Sequence, residues 1–348
     1  MTLPMSPAGR VLVAGGGGYL GSALCTTLLD AGFSVRVVDR FFFGTEPLSG
    51  CRGRPGFESV RLDTRGITPA DLEGFDTVID IAGLSNDPCC ALDSELTTDV
   101  NVRGGVALLR AAKAAGVRRY VYQSSCSVYG AGGDALLTEE SAREPLTAYA
   151  QSKAKMEDMV LGEVSSGFAT TVSRMGTLYG LSPRMRFDLI INVMTKHAFE
   201  KREVFVLGGG SQWRPLLHVR DGARALLTLA TAPDSVVAGR VFNMGATSQN
   251  YRVSRVASMV AEHVSGASLI VVPEDADQRS YRVSFERAER ELDFTCERTP
   301  EDGIREILEA LREQTVLTGH VTRTVDYYRY LLDAKRVLDD VILDGCLL

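Results

Sequence analysis

Tyr149 and Lys153 stand four residues apart in a stretch with helical spacing, so both side chains leave one helix face. A phenol ordinarily titrates near pH ~10, and an adjacent ammonium favours its charged form. A phenolate made this way can take the proton of an alcohol while a hydride leaves the same carbon. Y-x-x-x-K alone is common by chance. Here Ser124-Ser125-Cys126-Ser127-Val128-Tyr129-Gly130 closes a strand upstream, with Ser125 lying 24 residues before Tyr149. Strand ends on parallel sheets are where ligands meet protein, and the Ser125 hydroxyl can bond the same substrate oxygen. Ser125, Tyr149 and Lys153 are the candidate catalytic trio, with Lys153 also able to reach a nicotinamide ribose.

A hydride needs an acceptor, and the beginning of the chain is built for one. Gly15, Gly18 and Gly21 follow a strand at 10–14 and open a helix. The first permits a tight turn, the second lets backbone approach a pyrophosphate, and the third lets helix and strand pack closely. Tyr19 and Leu20 then sit at the helix N-terminus, whose N–H groups and partial positive charge suit phosphate. Asp39 ends the next strand eighteen residues past Gly21, near the usual offset of roughly 20. Its carboxylate can accept both adenosine-ribose hydroxyls and would repel a 2′-phosphate, which selects NAD. Arg40 complicates this, because a guanidinium there can stack on adenine or support a 2′-phosphate. Asp63 and Thr64 end the third strand, where Asp63 can accept from the adenine amino group or cap a loop. Ala82 and Gly83, after the fourth strand, complete the candidate cofactor set.

The elements that must position these residues alternate. Strands are read at 10–14, 34–39, 59–63, 77–82, 119–124 and 169–174, with helices at 18–31, 69–73, 93–115 and 147–165. Near-continuous apolar strands separated by helices predict a doubly wound parallel α/β sheet of the Rossmann type. Gly176–Gly180 looks like a break in character. Beyond it helices at 187–199, 219–232 and 253–264 interleave with strands at 203–207, 239–245 and 268–272, and 324–338 reads as a helical tail. The reading is a dinucleotide-binding domain over 1–180 with return segments near 213–245. Residues 181–348 then form mainly a smaller substrate-binding lobe and the helical tail.

Composition bounds the alternatives. The chain has 348 residues, 45% hydrophobic and 24% charged, with net charge −6, which leaves no electrostatic footprint for nucleic acid. No apolar run approaches the roughly 18 residues that span a bilayer. The seven cysteines (25, 51, 89, 90, 126, 296, 346) and four histidines follow neither zinc-ligand spacing nor a disulfide framework. No metal is expected, and reduced thiols in the cytoplasm are.

Taken together, GGGGYLG (15–21), DTVIDIAG (76–83), SSCSVYG (124–130), YAQSK (149–153), QWRPLLHVRD (212–221) and FNMG (242–245) resemble the extended short-chain dehydrogenase/reductase family, within it the nucleotide-sugar epimerases and dehydratases. The resemblance runs over roughly 11–311. It implies NAD(P) in the large lobe, a nucleotide-diphospho-sugar under the small one, and a homodimer through the helices at 93–115 and 147–165. Residue by residue, Ser125, Tyr149 and Lys153 fall on the family's catalytic trio and Asn101 on its helix asparagine near the active site. Asn192 falls on the asparagine that reaches the diphosphate, and Arg214 on the arginine that pairs with it. A second arginine is expected within 277–282: Arg279, with Arg282 as the alternative.

The departures narrow the chemistry. The 4,6-dehydratases of the family carry an Asp-Glu pair where Cys126 and Ser127 stand, so neither the C5 base nor the C6 acid of that reaction is present. C4 epimerisation through a transient keto-sugar is the leading reading. Net reduction or oxidation of a nucleotide sugar is the alternative. Cys126 could act as a thiolate acid or base in C3 or C5 epimerisation, although it lies one position off the family's cysteine; otherwise it is a small buried hydrophobe. A chain that only senses the dinucleotide would not need the trio. Thr177 replaces an expected asparagine, Asp80 stands where His is usual, and Ser85-Asn86-Asp87-Pro88 is either a turn or a polar loop that meets the sugar. Arg184, Arg186 and Asp188 could shape the pocket, so a substrate other than plain UDP-glucose is expected.

Overall fold

Arg10–Ala14 (β1) alternates its side chains between two cores: Val11 and Val13 face one, Leu12 and Ala14 the other. That period-two split marks a strand buried on both faces. In the computed structural model, which describes residues 9–273 and 279–343, β1 lies in a seven-stranded sheet. Its companions are Ser34–Asp39 (β2), Phe57–Arg61 (β3), Thr77–Asp80 (β4), Arg119–Ser125 (β5), Ala169–Met175 (β6) and Arg240–Met244 (β7). The order is β7-β6-β5-β4-β1-β2-β3, and every pairing is parallel. Registers such as Val13↔Ile79 and Ile79↔Val121 line up the apolar rows. The sequence of neighbours reverses between β1 and β4, the switch point where α/β sheets open a crevice.

Helices Tyr19–Asp30 (α1) and Val219–Thr231 (α4) cover one face through Leu24, Leu28, Ala223 and Leu226. Gly104–Ala114 (α2) and Ala148–Gly162 (α3) cover the other through Leu108, Leu109, Met156 and Val160. A third core holds Ile191, Met194, Val204, Val256, Val260 and Ile304. It joins the strand pair Glu203–Leu207 and Ser268–Val272 to helices Ile190–Lys201, Val253–Glu262 and Pro300–Arg312.

Several elements depart from the sequence reading for physical reasons. The third strand ends at Arg61 because Asp63 caps the turn Thr64–Gly66 instead. Residues 69–73 make only a 3-10 turn, Pro69–Leu72, entered by a Thr68/Asp71 capping box. The long helix at 93–115 contains a π turn at Asp99–Arg103. Gly176–Gly180 contains a strand, Thr177–Tyr179, which pairs with Trp213–His218. That second strand was hidden by Pro215, a residue that argues against strand; here it pairs antiparallel with Asn250. Helix Pro300–Arg312 was not anticipated either. Its Gly303 is needed because a Cβ would come within 2.6 Å of Tyr179.

One buried ion pair ties three elements together behind the crevice. Glu157 of α3 is fully buried and accepts from Arg174 of β6 at 2.6 and 2.9 Å and from Ser124 of β5 at 2.5 Å. Removing one member of a buried pair strands the other charge and costs about 3–5 kcal/mol. Glu157→Gln is therefore expected to lower unfolding free energy by about that amount in urea melts. The paired change Glu157→Leu with Arg174→Met should lose markedly less, because no charge is then left unpaired.

Candidate active site

The crevice at the carboxyl ends of β1, β2, β4 and β5 encloses about 600 Å³. Gly15, Gly18, Tyr19, Leu20, Asp39, Arg40, Asp63, Thr64, Ala82, Gly83, Ser85 and Tyr149 all line it. The glycine turn is shaped for a close guest. Gly15 has φ +86°, and a Cβ there would stand 2.8 Å from Ala82 Cα. A Cβ on Gly21 would stand 2.5 Å from the Gly15 carbonyl, so α1 is drawn against the turn. Its N-cap, Gly18, supplies no side-chain cap, which leaves the helix N-terminus to a ligand anion. These features fit a dinucleotide pyrophosphate.

Asp39 points at the same turn. Gly17 N donates to Oδ2 at 2.9 Å and Phe41 N to Oδ1 at 2.7 Å. Each oxygen keeps a further acceptor site for a ribose hydroxyl. Burial raises the Asp39 pKa, opposed by those backbone donors. Arg40 pairs with Asp63 at 3.0 Å and lies 4.5 Å over the Phe42 ring. Asp63 is held down to about 2 by the Arg65 side chain. It also caps its turn through Arg65 N, at 3.0 Å, so the cap is formed at the rim of the crevice.

Tyr149 and Lys153 lie on the first turns of α3, entered by the Thr147 cap. Lys153 Nζ sits 5.8 Å from the Tyr149 ring centroid and donates to the Gln123 carbonyl at 2.7 Å. Ser125 favours the charged form of the Tyr149 phenol, and its hydroxyl accepts from Ser127 N and so caps the turn Cys126–Tyr129. The trio is thus brought together, with Gln123 as a partner that no motif announced. The electrostatics differ from the sequence expectation. Burial, then Asp87 and Cys90, push the Tyr149 phenol well above its ordinary range. Burial pushes Lys153 down to about 8, against the pull of Asp80. Asp80, in turn, accepts from Tyr120 Oη at 2.7 Å and Ala82 N at 3.1 Å.

Four expected substrate contacts are engaged within the protein. Asn192 has no exposure: its amide accepts from Gly180 N at 2.9 Å and donates to Tyr19 Oη and the Arg186 carbonyl. Asn101 holds the Leu84 backbone at 2.7 and 3.1 Å and donates to Ser152, beside Lys153. Cys126 is buried in a small core with Val128, Tyr281 and Phe285, and its thiol donates to the Arg174 carbonyl. Burial raises that thiol far above its ordinary pKa, which disfavours a thiolate there. Thr177 is a half-buried strand residue paired with Leu216.

Arg214 and Arg279 do meet, through Arg214 Nη1 and the Arg279 carbonyl at 2.5 Å. Arg279 is ion-paired with Asp87, whose other oxygen takes the Thr147 hydroxyl. Arg282, the alternative, instead stacks 4.8 Å over Trp213. Residues 277 and 278 of that segment lie outside the described residues. Arg186 chelates Asp188 at 3.0 and 3.1 Å and donates to Ser85; Asn86 donates to Asp188 as well. Sequence reasoning missed Phe42, Phe43, Tyr328, Leu331, Leu332 and Lys335, which also line the crevice. The aromatic run after Asp39 and the tyrosines of the tail were the available signal.

A parallel Rossmann sheet with a glycine turn, a terminal Asp on β2 and a Ser-Tyr-Lys trio defines an extended short-chain dehydrogenase/reductase. The chain belongs to the NAD-dependent epimerase/dehydratase family, whose pattern it matches over residues 11–245. It is 30% identical over 305 residues to the dTDP-glucose 4,6-dehydratase of Streptomyces griseus, covering 85% of this chain and 92% of that one. It is 28% identical over 312 residues to the UDP-glucose 4-epimerase of Corynebacterium glutamicum, covering 83% and 92%. Among solved structures, MoeE5 in complex with UDP-glucose and NAD superposes with a TM-score of 0.77 at 28% identity, covering 88% of this chain and all of that one. The chain is accordingly an NAD-dependent enzyme of the nucleotide-sugar epimerase/dehydratase group.

Lys153 carries a pH signature. Below about pH 8 it is charged both folded and unfolded; between about 8 and its ordinary value near ~10.4 only the unfolded chain keeps the proton. The unfolded state then binds more protons, so this group's contribution to stability rises with pH. The stability of wild type minus that of Lys153→Met, measured by urea unfolding without cofactor, should therefore grow from pH 7 to pH 10. A flat difference would contradict the buried, depressed lysine.

Proposed function

We propose that this enzyme epimerises a nucleotide-diphospho-sugar at C4 through a transient keto-sugar, with NAD kept in place between oxidation and return. The observation that carries the reading is Tyr149, lining the same crevice as the glycine turn and influenced by Ser125, with no carboxylate at 126 or 127. Cys126 and Ser127 are buried there, and neither supplies the acid-base pair that elimination of water from C6 needs. Asp87, a carboxylate whose charge reaches Tyr149, is already engaged by Thr147 and Arg279.

NAD, when bound, accepts the hydride from the sugar carbon and gives it back. The chain's own residues handle the proton and the geometry. Tyr149 Oη takes the proton of the C4 hydroxyl and later restores it to the carbonyl oxygen. Ser125 donates to that oxygen and keeps it within reach of the phenol. A charged Lys153, held by Gln123, favours phenolate over phenol. Arg214 and Arg279 would receive the diphosphate, which takes the place Asp87 has against Arg279. Ser85 and the Arg186–Asp188 pair bound the sugar end and support a substrate other than plain UDP-glucose. Both named relatives act on nucleotide-linked glucose, which makes UDP-glucose and dTDP-glucose the first substrates to try.

Loss of a positioned acid–base group typically costs 10²–10⁴-fold. Tyr149→Phe should lower turnover by about that factor while NAD content stays unchanged. In heavy water the C4 epimer should form without deuterium, because the migrating hydrogen never exchanges. Deuterium at C3 or C5, or a 4-keto-6-deoxy product, would overturn the assignment.

A further inference from the structure

The helical tail forms one wall of the crevice, and that contact follows from no family motif. Helix Thr324–Val341 (α5) begins 79 residues beyond the 11–245 family match. Tyr328, Leu331 and Leu332 of α5 line the crevice together with Gly15, Asp39 and Asp63. An aromatic joint fixes the helix there. Phe42 meets Tyr328 edge-on at 6.0 Å, and Phe43 lies 5.4 and 5.6 Å from Tyr327 and Tyr328. Tyr327 Oη donates to the Phe42 carbonyl at 2.8 Å. The joint therefore clips the tail to the loop that follows Asp39.

Beneath this joint lies a cation with no salt-bridge partner among the described residues, although the Asp188 charge reaches it. Arg184 is 5% exposed, lines the crevice and stacks 3.7 Å over Phe43. Its Nη2 donates to the buried Thr324 hydroxyl at 2.9 Å, and its Nε has no partner. Neighbouring Arg186 is satisfied by Asp188, whereas no carboxylate among the described residues pairs with Arg184. A buried guanidinium left like this is costly, and burial with Arg186 brings it down to about 10. A planar donor fork lining the same crevice as an uncapped helix N-terminus suits phosphate oxygens.

We propose that α5 completes the dinucleotide site: Arg184, braced by Thr324 and Phe43, pairs with the pyrophosphate of the cofactor, and Tyr328 closes the crevice over it. The inference rests on the reading that NAD stays bound through turnover, and supplies its physical means. Retention then comes from an appended helix as well as from the glycine turn.

The test is NADH release, followed by its fluorescence in full-length protein, together with the NAD that copurifies. A charge-assisted contact is worth about ten- to hundredfold in affinity. Arg184→Gln should speed NADH release by about that factor, and Tyr328→Ala should speed it as well. Thr324→Val, which keeps the packing and removes only the brace, should act in the same direction. Val337→Ala, on the exposed side of the same helix, should release NADH like wild type. Cofactor-free melting temperatures identify any variant that fails to fold, and Thr324→Val then decides. Unchanged release in all three variants, while wild type retains NAD, overturns the clamp and leaves the epimerase reading standing. Wild type that holds no NAD overturns both. Weakened NADPH binding with NADH unaffected would place Arg184 on a 2′-phosphate and overturn the pyrophosphate assignment.

Discussion

Glu157 is the point on which the catalytic geometry hangs. It lies on α3 four residues after Lys153 and eight after Tyr149, on the side of the helix that meets the sheet. Its carboxylate is shared among Ser124, the residue before Ser125, Arg174 at the end of β6, and Arg143. Arg174 passes the restraint on to Tyr129 Oη at 2.9 Å, and Tyr129 donates to Asn243 on β7. One buried anion thus sets the depth of α3 against β5 and the course of the 124–130 turn. Ser125 and Tyr149 are close enough to influence each other because both elements are pinned to the same group. A buried pair is a poor source of net stability, but it penalises any other register heavily.

The crevice spends that rigidity on electrostatics. Lys153 is nearly unexposed, close enough to Asp80 to feel its charge, and aimed at a backbone carbonyl instead of a carboxylate. A full ion pair would fix its proton firmly; a carbonyl leaves the charge able to respond to what enters the site. Asp80 is itself tied to Tyr120, so it acts at a distance through the field and not by contact. Tyr149 meets the opposite influence, since burial and Asp87 disfavour its phenolate. On the proposed reading, a diphosphate that drew Arg279 away from Asp87 would rearrange charge beside the phenol and so couple substrate arrival to the state of the acid–base group.

How much of this could be read from residues alone depended on whether the cause was local. The glycine turn was legible because its constraint is steric and nearly contiguous: a Cβ at 15 strikes Ala82. The sheet was legible because both faces of β1, β4 and β5 are buried, so apolar runs outline them. Trp213–His218 was not, since Pro215 contradicts a strand unless one knows that its partner is Asn250. Asn192 was read as a ligand contact, yet its amide is consumed by Gly180, Tyr19 and Arg186. Those partners are up to 173 residues away, and no spacing rule reaches that far. The tail failed similarly: helical periodicity announced a helix, but not the surface it would cover.

That surface matters for the kind of chemistry the fold supports. An oxidoreductase that makes a net product must exchange its dinucleotide every turn, and a helix across the crevice would slow each exchange. An epimerase ends each cycle with the cofactor in its starting state, so a closed cover carries no such penalty and guards the reactive keto-sugar stage against loss of the hydride carrier. Asp39 and Arg184 serve this division at opposite ends of one loop of contacts. Asp39 accepts from the glycine turn, Phe42 and Phe43 follow it in the chain, and those rings support both the tail and Arg184. A change in the FFFG segment would therefore be felt at Asp39, Arg184 and the tail together, which on the proposed reading would make this short aromatic run the mechanical link between cofactor recognition and cofactor retention.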